Sequence, residues 1–384
     1  MIAAMARLAA IVLSLCLSAC AHRPLVQGEE LFADHLFGPP AQRISADQVF
    51  ALSEPMRRYL ETEMAGPLAE KGLHKGLIDA LYSTNHLRLE YDAATTRNAS
   101  QAFEARSGNC LSLVLMTAAF AKALGLTVRY QGAFVEPMWT RVGGMHFLSG
   151  HVNLTLVGKS TGKRTIYDAG EHLMIDFLPP QELRGLRTWP IAEETIVAMY
   201  MNNRAAESLA RGQVDDAYWW ARAAITEDPA FVSPYNTLGV VYLRRGDAPR
   251  AERVLRTLLE REPANPQALS NLRLALERQG RVAETDALER RLARVEPIPA
   301  FHFLDRGLSA MRLGHFRVAR DFFAKEVERD PYYHESHFWL GMAHLKLGNL
   351  EEGRKHLDLA LEHSTTSGER ELYAAKLERI RSYR

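Results

Sequence analysis

Cysteine is scarce in this chain. There are three in 384 residues, and two of them, Cys16 and Cys20, fall within the first twenty, leaving Cys110 alone in the body of the sequence. So few thiols exclude a disulfide framework, and the absence of C-x-x-C and H-E-x-x-H spacings gives no reason to expect a metal site or other cofactor. An excess of one charge is lacking too. Lys and Arg number 47 against 46 Asp and Glu, a formal net charge of +1, so nothing in the overall electrostatics points to nucleic acid as a partner. Beyond residue 20 no run of about 18 apolar residues occurs, which leaves no spanning helix there. At about 150 residues per domain, the length suggests two domains.

The first residues, MIAAMARLAAIVLSLCLSAC, place Arg7 before an apolar run from Leu8 to Leu17. A basic start, a short apolar stretch and small residues before a cleavage point make a secretory signal. Leu17-Ser18-Ala19-Cys20 resembles the bacterial lipobox. That resemblance implies a signal peptide over 1–19, a lipid on Cys20 that anchors the chain at a membrane, and, with Ala21 following, sorting to the outer membrane with the protein on its periplasmic face. Residues 20–45 are then the lipidated cysteine and a Pro-rich tether. With Cys16 removed and Cys20 acylated, Cys110 becomes the sole free thiol of an exported protein, which marks it as a candidate for reactivity.

From Ala198 onward the chain repeats. Gly212, Gly246, Gly280, Gly314 and Gly348 step by 34 residues, as do Pro229, Pro263, Pro297 and Pro331. Each block reads as helix, glycine turn, helix, proline stop: glycine takes the left-handed conformation that ends the first helix, and proline cannot continue the second. Small residues at Gly239, Gly307 and Gly341 let neighbouring helices approach. The pattern resembles the tetratricopeptide repeat, with units at 198, 232, 266, 300 and 334 and a charged capping helix, over 198–384. That resemblance implies an all-α solenoid whose groove takes a protein or peptide segment. The aromatics of the fourth and fifth units, Phe301 and Phe323 among them, read mainly as interhelical packing.

Residues 46–197 have another pattern. SADQVFALSEPMRRYLETEM starts like a helix capped by Ser45 or Asp47, and GLHKGLIDALYS like a second; LRLEYD reads as extended. RNASQAFEARSGNC, whose Asn98-Ala99-Ser100 matches a glycosylation sequon, then leads into the apolar helix LSLVLMTAAFAKALG. Alternation follows in TVRYQGAF, HFLSGHVNLTLVG, KRTIYDAG and LMIDFLP, which predicts an antiparallel sheet and an α+β domain.

A nucleophilic cysteine needs help to lose its proton, a base to take it, and a group to orient the base. The helix start at Cys110 meets the first need in part, with Gly108 and Asn109 turning the backbone and Asn109 as cap. His151, early in an alternating strand, is the candidate base. Five residues separate it from His146, so the two point to opposite faces of one strand, and His146 is expected in a loop. A carboxylate from a later strand would fix the base's tautomer. A hairpin through Ser160-Thr161-Gly162-Lys163 brings Asp168 level with His151.

The order Cys, His, Asp, with RSGNCLSL at a helix start and GHVNL in a strand, resembles the transglutaminase-like, papain-type cysteine superfamily. More narrowly, the chain resembles bacterial lipoproteins that join such a domain to tetratricopeptide repeats. The resemblance implies catalysis by Cys110 and His151, and IDFLPP implies Asp176 as the third member, so Asp168 and Asp176 both stand. Arg106 and Trp139 are candidates for supporting the turn and walling the cleft. Two functions follow: cysteine acyl transfer, as a peptidase, amidase or transamidase, or a non-catalytic lipoprotein adaptor built on a degenerate enzyme domain.

Overall fold

The computed structural model describes residues 28–83, 87, 89–93, 95–142, 145–157, 172–177, 187–364 and 366–381. Its first helix, α1 (Glu54–Thr62), starts later than Ser45 or Asp47 would have it, because Pro55 is tolerated only in a first helical turn; Ala46–Gln48 forms a separate 3₁₀ turn. Helix α2 (Ala65–Tyr82) follows, kinked where Gly72 takes φ +76°. The extended segment is β1 (Glu90–Tyr91), which pairs in parallel with β2 (Ser107–Gly108). Between them lies α3 (Ala99–Ala105), opened by a reciprocal capping box of Asn98 and Gln101. Arg106 closes α3 in the left-handed region at φ 49° and turns the chain into β2. Helix α4 (Cys110–Ala123) starts directly after, with every residue from Leu111 to Ala121 buried. A helix apolar on all sides must be enclosed on all sides.

What encloses it on one side is a four-stranded antiparallel sheet in the order β5 (His172–Ile175), β4 (Met145–Val157), β3 (Thr127–Val142), β6 (Arg187–Ile191). Strand β3 runs past the expected Phe134, with a register shift between Ala133 and Met138. His146, expected in a loop, pairs with Arg141 inside β4. The expected strand KRTIYDAG lies outside the described residues. Strand β6 was not foreseen, since RTWPI is short and holds Pro190. It pairs on the free edge of β3, where a Cβ on Gly132 would collide with the Trp189 ring.

The second half is paired helices. They are α5 (Glu193–Ala210), α6 (Val214–Glu227), α7 (Ser233–Arg245), α8 (Ala248–Arg261), α9 (Pro266–Arg278) and α10 (Val282–Val295). After them come α11 (His302–Arg312), α12 (Phe316–Arg329), α13 (His334–Lys346), α14 (Leu350–Glu362) and α15 (Ser367–Arg381). The first begins at Glu193, five residues ahead of the expected Ala198. All five periodic glycines sit at φ between 72° and 87°. A Cβ on Gly239 would lie 2.7 Å from Leu255, and one on Gly341 2.9 Å from the Gly353 carbonyl, which is why small residues recur on the first helix of each pair.

The two halves share one core. Buried residues form a continuous cluster from Leu31 through the α4 helix and the sheet to Leu276 in α9. The tether expected over 20–45 is corrected at this point, because its described part is bound to the solenoid. Phe37 stacks on Tyr218 with centroids 3.9 Å apart, the Tyr218 hydroxyl donates to Asp34, and that of Tyr242 donates to the Leu31 carbonyl at 2.7 Å. Leu31, Ala33 and Phe37 are buried as a result. Their spacing matches neither a helix nor a strand, so no periodicity announced them.

Candidate active site

The site begins at the entry to α4. Asn109 holds an extended backbone as N-cap, and its Oδ1 accepts from the Ser112 amide at 2.9 Å and the Ser112 hydroxyl at 2.8 Å. Its carbonyl accepts from the Leu113 amide. The amides of Cys110 and Leu111 stand ahead of these at the positive end of the helix, where a developing negative charge is favoured. Gly108 is required by packing, since a Cβ there would meet the Ser112 Cβ at 2.5 Å. Cys110 itself is a free, half-buried thiol.

His151 comes from β4. Period-two alternation puts His151 and Asn153 on one face of that strand, and β5 lies alongside with Ile175 opposite Leu154, so Asp176, just past the end of β5, arrives beside both. The His151 Nε2–H donates to Asp176 Oδ1 at 2.7 Å, and Asn153 Nδ2 donates to Asp176 Oδ2 at 2.7 Å. Both carboxylate oxygens are thereby held, and the His151 and Asp176 side chains are only 3% and 2% exposed. Cys110 is near enough to the same imidazole for its hydrogen-bonding capacity and charge to raise the ring's proton affinity. With Nε2 committed to Asp176, Nδ1 is the nitrogen left to face the thiol.

Burial on its own would lower the proton affinity of His151. The hydrogen bonds to Asp176 and Cys110, and the charges of both, outweigh it and raise the pKa from 6.5 to about 9. A ring so placed can take the thiol's proton, hold it at neutral pH, and return it to a leaving group.

The other expected residues fall as follows. Arg106 contributes its backbone to the turn into β2, and its side chain lines a surface depression with Pro55, Tyr59, Glu63, Leu87, Phe103 and Glu104, a set apart from the Cys110–His151–Asp176 group. The Trp139 backbone pairs with Leu148 in the sheet, and its side chain lies outside those described. Asp168 and Cys20 also lie outside the described residues. Asn153 and Ser112 were missed. Asn153 stood two residues after His151 in an alternating strand, a signal that could have found it; Ser112 had only the ordinary N-cap-plus-three spacing.

A family model for the tetratricopeptide repeat matches residues 236–294 and 304–367. No curated protein matches the chain. Among solved structures, the MamA protein is 20% identical over 45% of this chain and 93% of that one, with a TM-score of 0.26. YrrB, described as a TPR protein with an unusual peptide-binding site, is 19% identical over 47% and 92%, with a TM-score of 0.26. A thermophilic TPR protein of Thermus thermophilus, TTC0263, is 23% identical over 47% and 98%, with a TM-score of 0.29. The repeats of the second half are tetratricopeptide repeats.

Proposed function

We propose that this protein carries out cysteine-based acyl transfer on a protein or peptide partner that its repeats engage, with a transglutaminase-like domain supplying the chemistry. The observation that carries the reading is one buried imidazole bonded to Asp176, with the Cys110 thiol near enough to act on the same ring. In the proposed sequence His151 already holds the thiol's proton at neutral pH, and the Cys110 sulfur attacks a carboxamide carbon. The amides of Cys110 and Leu111 are placed to stabilise the oxyanion. The C–N bond then breaks, the amine leaves with the proton from His151, and a thioester remains. Water or a second amine, deprotonated by His151, attacks the thioester to give acid or new amide and restores the thiol.

The leader resemblance adds a place for this chemistry: the periplasmic face of a bacterial envelope, anchored at the outer membrane by lipid on Cys20. A second reading is a non-catalytic adaptor that binds its partner through the solenoid. It is favoured by the family match, which reaches only the repeats.

The two readings part in one experiment. The rate of Cys110 alkylation by iodoacetamide is followed against pH in wild type and His151→Ala, and a p-nitrophenyl ester is offered with intact-mass detection of an acyl adduct. Faster alkylation near neutrality that the substitution abolishes, with an adduct on Cys110, supports acyl transfer. A profile unaltered by His151→Ala and no adduct would leave the adaptor reading.

A further inference from the structure

Three side chains of α5, the first helix of the solenoid, converge on one buried residue of the other half. Thr96 is 1% exposed and lies between β1 and α3. Its amide donates to Glu207 Oε1 at 2.6 Å, its carbonyl accepts from Arg204 Nη1 at 3.3 Å, and its hydroxyl oxygen accepts from Asn203 Nδ2 at 3.2 Å. That same hydroxyl oxygen accepts from Asn109 Nδ2 at 2.9 Å. Arg204 pairs with Glu207 at 3.2 Å, and neither side chain of that pair is more than 17% exposed.

Asn109 is the residue that caps the Cys110 helix. One of its amide hydrogens is held by Thr96, which orients the group so that Oδ1 meets Ser112; the Ser112 hydroxyl, in turn, accepts from the Arg97 amide at 2.8 Å. The path from the solenoid to the turn bearing the thiol is therefore two hydrogen bonds long, from Asn203 to Thr96 and from Thr96 to Asn109. Buried polar groups tied in this way hold a narrow range of positions, because displacing any one strands the others.

We infer that Asn203 and Glu207 are positioning residues for Cys110, acting through Thr96 and Asn109, so that the solenoid is part of the thiol's support and its occupancy bears on the thiol's reactivity. This rests on the acyl-transfer reading of the site. It assigns the repeats a second part beside partner capture. A partner that shifts α5 would move the cap of the nucleophile helix without touching the cleft.

The test compares two neighbours on one helix. Asn203 faces Thr96, whereas Asn202 accepts from the Thr237 hydroxyl at 2.8 Å within the solenoid. Both substitutions, Asn203→Ala and Asn202→Ala, remove a partly buried side-chain hydrogen bond, so a merely structural effect should be alike in the two. The full chain is alkylated with iodoacetamide across pH 5.5–9 alongside Thr96→Val, Thr96→Ser and His151→Ala, with thermal melts recorded for each. The expected result is a rate near neutral pH lower by about fivefold and a profile displaced to higher pH for Asn203→Ala and Thr96→Val. Asn202→Ala and Thr96→Ser should keep the wild-type profile. If Asn203→Ala fails to fold, the Thr96 pair decides alone. Wild-type profiles in Asn203→Ala and Thr96→Val, with His151→Ala still altering the rate, would overturn the positioning role and leave the acyl-transfer reading standing. A wild-type profile in His151→Ala would overturn both.

Discussion

Replacing Asp176 by Asn keeps the size of the side chain and removes the charge that His151 and Asn153 both address. The rise in His151 from 6.5 to about 9 spans about 2.5 pH decades, or about 3.5 kcal/mol at about 1.4 kcal/mol per decade. The folded chain holds this proton more tightly than the unfolded one. The contribution is therefore fully present below pH 6.5 and is lost as pH rises through about 9. Without the carboxylate, burial, already the largest single influence and one that lowers the proton affinity of the ring, is opposed only by Cys110 among the named causes. The His151 midpoint in Asp176→Asn should then fall to about 7 or below. A titration of the histidine ring signals by NMR, with His151 assigned from the His151→Gln spectrum, reads this directly. Urea melts at pH 6 and pH 9.5 read its energetic side: wild type should lose about 2–3 kcal/mol between them through this residue, and Asp176→Asn little. A midpoint that stays near 9 in the variant would refute the claim that Asp176 holds the proton.

Asn109→Ala removes the cap of α4 and should lower stability by about 1 kcal/mol while slowing Cys110 alkylation, which a melt and a rate measurement separate. Phe37→Ala should cost about 3 kcal/mol or more and speed proteolysis near residues 28–41, because the ring is stacked on Tyr218; a free tether would show neither change. In the last repeat, burial first and then the facing His337 and His344, with Lys355, push His356 down to about 4, against a smaller opposing pull from Glu352. The unfolded chain binds that proton near pH 6.5, so stability should fall as pH drops from 6.5 toward 4, and His356→Phe should flatten that slope in melts taken across the range. For the anchor, labelled palmitate should enter wild type expressed in a bacterium and be absent from Cys20→Ala.

Local chemistry made much of this molecule legible. The Gly-to-Gly spacing of 34 residues needed no tertiary information, because each glycine answers a backbone demand, a left-handed turn, that its own helix creates. Asn109 announced the start of α4, and Pro55 could have fixed the start of α1 had its restriction to a first turn been weighed against Ser45. Alternation around His151 placed it in a strand, though it left β6 unseen, since five residues with a proline carry too little pattern. The role of residues 28–41 was illegible for a different reason. Leu31 and Phe37 look like scattered apolar residues in a Pro-containing segment until Tyr218 and Tyr242, about two hundred positions away, are beside them.

The choice between Asp168 and Asp176 marks the boundary most clearly. Residue types and order supplied a thiol at a helix start, a histidine in a strand and two eligible carboxylates, because propensity and periodicity act over a few residues. Which carboxylate meets the ring depends on the register of β5 against β4, set by side chains on both strands. In the described structure that register sets Asp176 against His151. The bond from Asn109 to Thr96, and from Thr96 to a helix of the other half, is of the same kind. No local pattern encodes it, since a bond across 13 positions between two loops, and bonds across more than a hundred from Thr96 to Asn203 and Glu207, exist only once packing has brought the residues together.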